Sequence, residues 1–141
     1  MITPHPLPSA AYRNLIQELA TILGGRFAGV WNDGRLHVGV AKGTRNDERR
    51  ARELAKSWRR DITVDHVKFS LEELKQFEAV ILSLIELPNA TISSFWLDEA
   101  RNRIEVRVDR LGTDLAKELA KHLPAAAVHV ELSAGPEGYL L

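Results

Sequence analysis

The chain has 141 residues, 45% of them hydrophobic and 27% charged, enough to bury a sizeable core as one domain or two small ones. Nineteen basic residues balance nineteen acidic ones, so no global field recruits nucleic acid or an anionic membrane, and the absence of cysteine excludes disulfides and thiolate chemistry. The N-terminal Met1-Ile2-Thr3-Pro4-His5-Pro6-Leu7-Pro8 has no charged start followed by an apolar run, so no secretory leader is expected there, and the apolar run at 79–85 is too short to span a bilayer.

In chain order, the prolines at 4, 6 and 8 predict a stiff lead-in, after which Ser9 can cap a helix with Tyr12, Leu15, Ile16, Leu19, Ile22 and Leu23 on one side. Gly24-Gly25 stops it. The stretch 27–40 then reads as a hairpin. An apolar run ends in Trp31-Asn32-Asp33-Gly34, and Leu36, Val38 and Val40 alternate with Arg35, His37 and Gly39. Asp-Gly supplies the positive φ that a tight turn between twisted strands needs. Lys42-Gly43-Thr44 leads into a second helix, in which Ala51, Leu54, Ala55 and Trp58 fall at the spacing of a single buried stripe. Residues 62–69 read as a strand whose apolar phase slips between Val64 and Val67, predicting a bulge or a bent edge.

Ser70-Leu71-Glu72-Glu73 reads as a capping box that starts a third helix, running to about Leu87 before Pro88-Asn89. Leu74, Phe77, Val80, Ile81, Leu82, Leu84 and Ile85 make it apolar on more than one face, which predicts a central helix packed between two halves. The first hairpin then recurs about 65 residues on, as Phe95-Trp96-Leu97-Asp98, a turn from Glu99 to Arg103, and Ile104, Val106 and Val108 in alternation. Leu111, Leu115, Ala116, Leu119, Ala120 and Leu123 mark a fourth helix closed by Pro124, and Val128, Val130 and Leu132 alternate with His129 and Glu131 as a last strand. The fold class expected is therefore α+β: a duplicated α-β-β-α-β unit, residues 1–69 and 70–141, with two small three-stranded antiparallel sheets each covered by helices. Trp31 and Trp96 are expected to superpose as core anchors.

Phe27-Ala28-Gly29-Val30-Trp31-x-Asp33 with Leu36-x-Val38-Gly39-Val40, then Val67-x-x-Ser70-x-x-x-Leu74, then Trp96-x-Asp98 with Ile104-x-Val106-x-Val108, resembles the pro-region of secreted bacterial chymotrypsin-fold serine proteases of the alpha-lytic and streptogrisin type. The likeness covers roughly residues 12 to 132, and its most specific part is the first hairpin. It implies a folding chaperone and inhibitor of a chymotrypsin-fold serine protease. It also implies binding through the second sheet, which extends a β-hairpin of the protease, with the C-terminal tail in the cleft as a product would lie. Carried over, the partner-binding residues are Arg103, Ile104, Glu105, Val106, Arg107, Val108, His129 and Glu131, together with Tyr139, Leu140 and Leu141 of the tail at 133–141. If the sheet docks a strand, backbone along 104–108 or 128–132 should be unpaired, with Arg103, Glu105 and Arg107 keeping it soluble. Family members carry a leader before the pro-region and a protease after it. The sequence as written shows neither, so an excised pro-region, hence secreted, or a stand-alone relative, cytoplasmic as written, is expected.

Enzyme signatures are missing: no Gly-x-Ser-x-Gly elbow, no Gly-x-Gly-x-x-Gly and no phosphate-binding loop. A non-catalytic protein without cofactor or metal is expected. His129 and Glu131 share a strand face and would make half of a metal site, but further ligands are wanting. Asp33 and Asp98 could be paired acids; beside turns, they are expected to cap backbone amides instead. From Lys42 to Arg60 eight basic residues stand against three acidic ones, a local net of 8 − 3 = +5. A basic-helix nucleic-acid binder is therefore an alternative, weakened by the lack of interleaved aromatic residues. A stand-alone interaction domain of the same fold is the other.

Overall fold

The computed structural model describes residues 9–85, 92–109 and 113–132. The chain divides into two compact units, Met1–Ser70 and Leu71–Leu141. In the first, helix α1 (Ser9–Leu23) and a 3₁₀ turn (Gly24–Arg26) lead to strands β1 (Phe27–Asn32) and β2 (Leu36–Ala41), helix α2 (Arg45–Ser57) and strand β3 (Ile62–Val67). In the second, α3 (Leu71–Ile85) is followed by β4 (Ile92–Asp98), β5 (Arg103–Val108), α4 (Thr113–His122), a 3₁₀ turn (Ala125–Ala127) and β6 (Val128–Leu132). Both units thus run helix, strand, strand, helix, strand, the α+β duplication expected.

Each sheet has three strands, in the orders β1-β2-β3 and β4-β5-β6. The hairpin pairs are antiparallel, but β2 and β3, like β5 and β6, are parallel. The sheets are therefore mixed, which corrects the antiparallel expectation. The third strand is reached through a helix, and such a crossover returns the chain to the sheet in the direction it left. Duplication extends to irregularities: the ladder slips between Phe27 and Val30 in one hairpin and between Ile92 and Ser94 in the other. The slip predicted in β3 is absent, since β2 and β3 pair in unbroken register from Leu36↔Ile62 to Ala41↔Val67. The broken apolar phase there has another cause: His66 takes the helix-side position and reaches Glu48 of α2 (2.6 Å).

The first core gathers Leu15, Leu19 and Leu23 of α1 and Ala51 and Ala55 of α2 against Leu36, Val38, Val40, Ile62 and Val64 of the sheet, all buried. The second gathers Leu74, Ile81 and Leu84 of α3 and Leu115, Leu119 and Leu123 near α4 against Ile104, Val106 and Val108. α3 packs on β4, β5 and α4 of its own unit, while Leu82 stands exposed. The second helix has a start signal that the stripe of apolar residues did not reveal. Thr44 caps α2 and receives the Asp47 amide, and Asp47 in turn accepts the Thr44 amide (2.8 Å), a full capping box.

The turn of the first hairpin uses Gly34 at φ +104°, where the Asp-Gly pair was expected to supply positive φ. In the second, Asn102 adopts φ +56° and is buried, so an asparagine does there what glycine does in the first.

Candidate functional site

The two sheets carry matched polar clusters on the face away from their helices. On the first, Trp31 faces His37 across the hairpin and stacks on it, ring centroids 5.2 Å apart and 7° from parallel. The indole lies against Gly39, where a Cβ would sit 3.2 Å from the ring and 3.1 Å from Ala28 Cβ. His37 is held at both nitrogens, Nδ1 by Asp65 (2.7 Å) and Nε2 by Asp33 (2.9 Å), so one imidazole ties the turn, β2 and β3 together. Asp33 was expected to cap the turn's amides. The Arg35 amide and its own do bond the Asp33 carboxylate, which also meets His37, while Asn32 Oδ1 accepts the Gly34 amide (2.9 Å). Asp98 likewise accepts the Arg101 amide at its turn (3.1 Å).

Only an imidazolium donates from both nitrogens, and its hydrogen bond to Asp65, with a smaller share from that to Asp33, raises the His37 pKa above the usual 6.5. A raised pKa contributes stability that is fully present below 6.5 and lost as the pH climbs through the folded-state value. Thermal melts of the wild type and His37→Gln should therefore diverge most below pH 6.5 and converge as the pH rises past the folded-state value. A difference that does not change with pH would show that the histidine is not charged in the fold.

On the second sheet the register places Trp96 opposite Glu105 and Glu105 opposite His129. Glu105 is buried, its Oε1 accepting from Arg103 Nε (2.6 Å) and its Oε2 from His129 Nδ1 (2.8 Å). Burial pushes its carboxyl up, and the two donors outweigh that and hold it below the usual carboxylate value. Arg107 stands where the first sheet has Gly39, and its guanidinium lies 5.2 Å from the Trp96 ring centre. With a side chain there instead of a hydrogen, Trp96 is left 41% exposed. Neither tryptophan is thus the core anchor expected; both lie on the outer faces, because Val30 and Leu97 take the alternate positions.

The predicted partner-binding residues separate into groups. Ile104, Glu105, Val106 and Val108 are buried, and β5 is the central strand, paired on both sides, so 104–108 cannot take an incoming strand. Glu105 is likewise no solubilising surface charge. Arg103 and His129 are half-buried around it, while Arg107 and Glu131 are exposed. Tyr139, Leu140 and Leu141 lie outside the described residues.

What remains available is β6. Among the described residues it pairs only with β5, and none of them pairs with its outer backbone edge. Beside it runs a groove of about 180 Å³ lined by Ala116, Leu119, Ala120, Leu123, Val128 and Val130 among others. The first unit is an internal control: Ile62 and Val64, which hold the places of Val128 and Val130, are buried, whereas Val128 and Val130 are only half-buried. The sequence pattern located β6, but Ala116 and Ala120, which read as helix stripe, gave no sign of a groove. A larger groove, of about 510 Å³, is lined by residues of α1 and α2 together with Trp58, whose Nε1 donates to Glu18 (2.7 Å).

The basic stretch 42–60 lies largely on exposed positions of α2, with Arg49 donating to Asn46 and Arg52 near Glu48. Among the described residues no group of three or more His, Cys, Asp or Glu side chains is placed to hold a metal ion, and no helix is long and apolar enough to cross a membrane. No family model matches the sequence, and no curated protein matches it.

Proposed function

We propose that this chain is a non-catalytic, pro-region-like module that binds a chymotrypsin-fold serine protease, serving as its folding chaperone and inhibitor. The observation that carries the reading is the edge of β6, unpaired among the described residues and beside an apolar groove onto which the half-buried Val128 and Val130 open. A partner strand laid along 128–132 gains main-chain hydrogen bonds, and alternate side chains fall into the groove next to Val128 and Val130 or beside His129 and Glu131. A ligand that binds only the native-like protease stabilises it, and one that also binds the folding transition state lowers the barrier. The tail from Ser133 to Leu141 supplies inhibition, with Leu141 in the main specificity pocket and Leu140 and Tyr139 in neighbouring ones. The intrahelical partners of Arg49 and Arg52 favour this reading over nucleic-acid binding, since they suit a solvated helix face.

Inhibition of a secreted bacterial protease of the alpha-lytic or streptogrisin type tests it. Burying a leucine side chain is worth roughly 1.5–3 kcal/mol, so removing Tyr139, Leu140 and Leu141 should weaken inhibition at least about tenfold and leave the fold intact. Hydrogen exchange at residues 128–132 should slow when the protease is added. No inhibition by the full chain would sink the protease reading, and unchanged exchange would leave β6 out of it.

A further inference from the structure

We propose that β6 also pairs antiparallel with β6 of a second copy of this chain, around a two-fold axis at Val130, to form a symmetric dimer. Four strands lie at the margins of the two sheets, β1 and β3 in one and β4 and β6 in the other. The ladder irregularities fall on β1 and β4, and bulged edges resist adding a strand. The charges of β3 are committed within the fold, Asp65 to His37 and His66 to Glu48. β6 is in regular register from Val128 to Leu132 and carries two uncommitted groups. Glu131 is exposed and has no partner among the described residues, because Arg107, opposite it in the register, is turned over Trp96. His129 spends Nδ1 on Glu105, and Nε2 has no bond among the described residues.

The occupant follows from the order Val128-His129-Val130-Glu131-Leu132, which is complementary to itself when reversed. With Val130 opposite Val130 of the second copy, His129 meets Glu131 and Glu131 meets His129, while Val128 meets Leu132 at both ends. An imidazole set between two carboxylates is the arrangement His37 already has with Asp65 and Asp33, apolar pairs directly across an antiparallel ladder are favourable, and the two-fold axis uses the His129–Glu131 and Val128–Leu132 pairs twice. The half-buried Val128 and Val130 of each copy then extend apolar surface beside the neighbour's groove. A one-residue slip would lose both His129–Glu131 pairs. This pairing goes beyond the protease reading and uses the same edge, so dimer and strand-docked complex exclude each other. The dimer would also cover an edge that otherwise invites aggregation.

Sedimentation velocity over a wide concentration range, with no protease present, should show a reversible monomer–dimer equilibrium. Glu131→Lys, at an exposed position, should weaken it by about tenfold or more, since it removes the carboxylate from both His129–Glu131 pairs. The chain has no cysteine, so a single introduced thiol reports the register. Val130→Cys should form a disulfide-linked dimer readily under mild oxidation, whereas Val128→Cys, which faces Leu132 of the second copy, should not. A monomer at every concentration, a Glu131→Lys variant that dimerises as the wild type does, or equal cross-linking at 128 and 130 would overturn the proposal. Because the protease is absent throughout, failure here leaves the inhibition test standing, and failure there leaves this one.

Discussion

Ile104→Ala should destabilise the second unit by roughly 2–5 kcal/mol, the range for emptying a buried aliphatic site. Ile104 is fully buried on the central strand, opposite Leu97 of β4 and Val128 of β6, so neighbours on both sides hold the strand in place and collapse into the cavity is limited. Urea unfolding should show the loss, and amide exchange should quicken across β4, β5 and β6 more than across β1, β2 and β3. Arg107→Ala, at an exposed position on the same strand, should cost far less. This contrast matters for the site. Were Ile104 a partner contact, its loss would weaken binding and leave the unit stable. A stable Ile104→Ala protein would contradict the core assigned here.

Much of this architecture was legible because it is written in local periods. Period two marked the strands at Leu36, Val38 and Val40 and at Ile104, Val106 and Val108, and the apolar stripes marked all four helices. Strand direction was not legible: alternation says which face a residue takes, never which way its neighbour runs, and the parallel pairing follows from the helical crossover. Glu105 misled for a related reason. Between Ile104 and Val106 it reads as an outward charge, and its burial depends on Arg103 beside it and His129, 24 residues on, which local pattern does not reveal. The tryptophans misled by composition, since a large aromatic reads as core, whereas Gly39 gives one an outer bed and Arg107 gives the other only a cation. Of the candidate site, β6 was legible as a strand with His129 and Glu131 on one face. Its place at the edge of the sheet was not, because strand order depends on the crossovers of the whole unit.

Asp47→Ala should cost the first unit about 2–3 kcal/mol, more than an ordinary helix cap, because three donors converge on one buried carboxylate. Oδ2 accepts the Thr44 amide (2.8 Å) and the Thr44 hydroxyl (3.0 Å), and the guanidinium of Arg26 approaches Oδ1 at 3.3 Å. The Thr44 amide and hydroxyl hold the Asp47 carboxyl below its usual range against the opposing effect of burial, with Arg26 contributing less. Alanine leaves the Thr44 amide without its acceptor and removes a negative charge from the N-terminal turn of α2, where the helix dipole favours one. The helix has no comfortable alternative start, since its first turn is anchored to β2 through the short link 42–44. Asn is the informative control. It keeps an oxygen for the Thr44 amide and loses the charge facing Arg26, which is half-exposed and therefore contributes little. Asp47→Asn should accordingly recover more than half of what Asp47→Ala loses in urea unfolding. If both variants lose the same amount, the charge and not the cap holds the helix start, and Arg26→Ala should then be as damaging as Asp47→Ala.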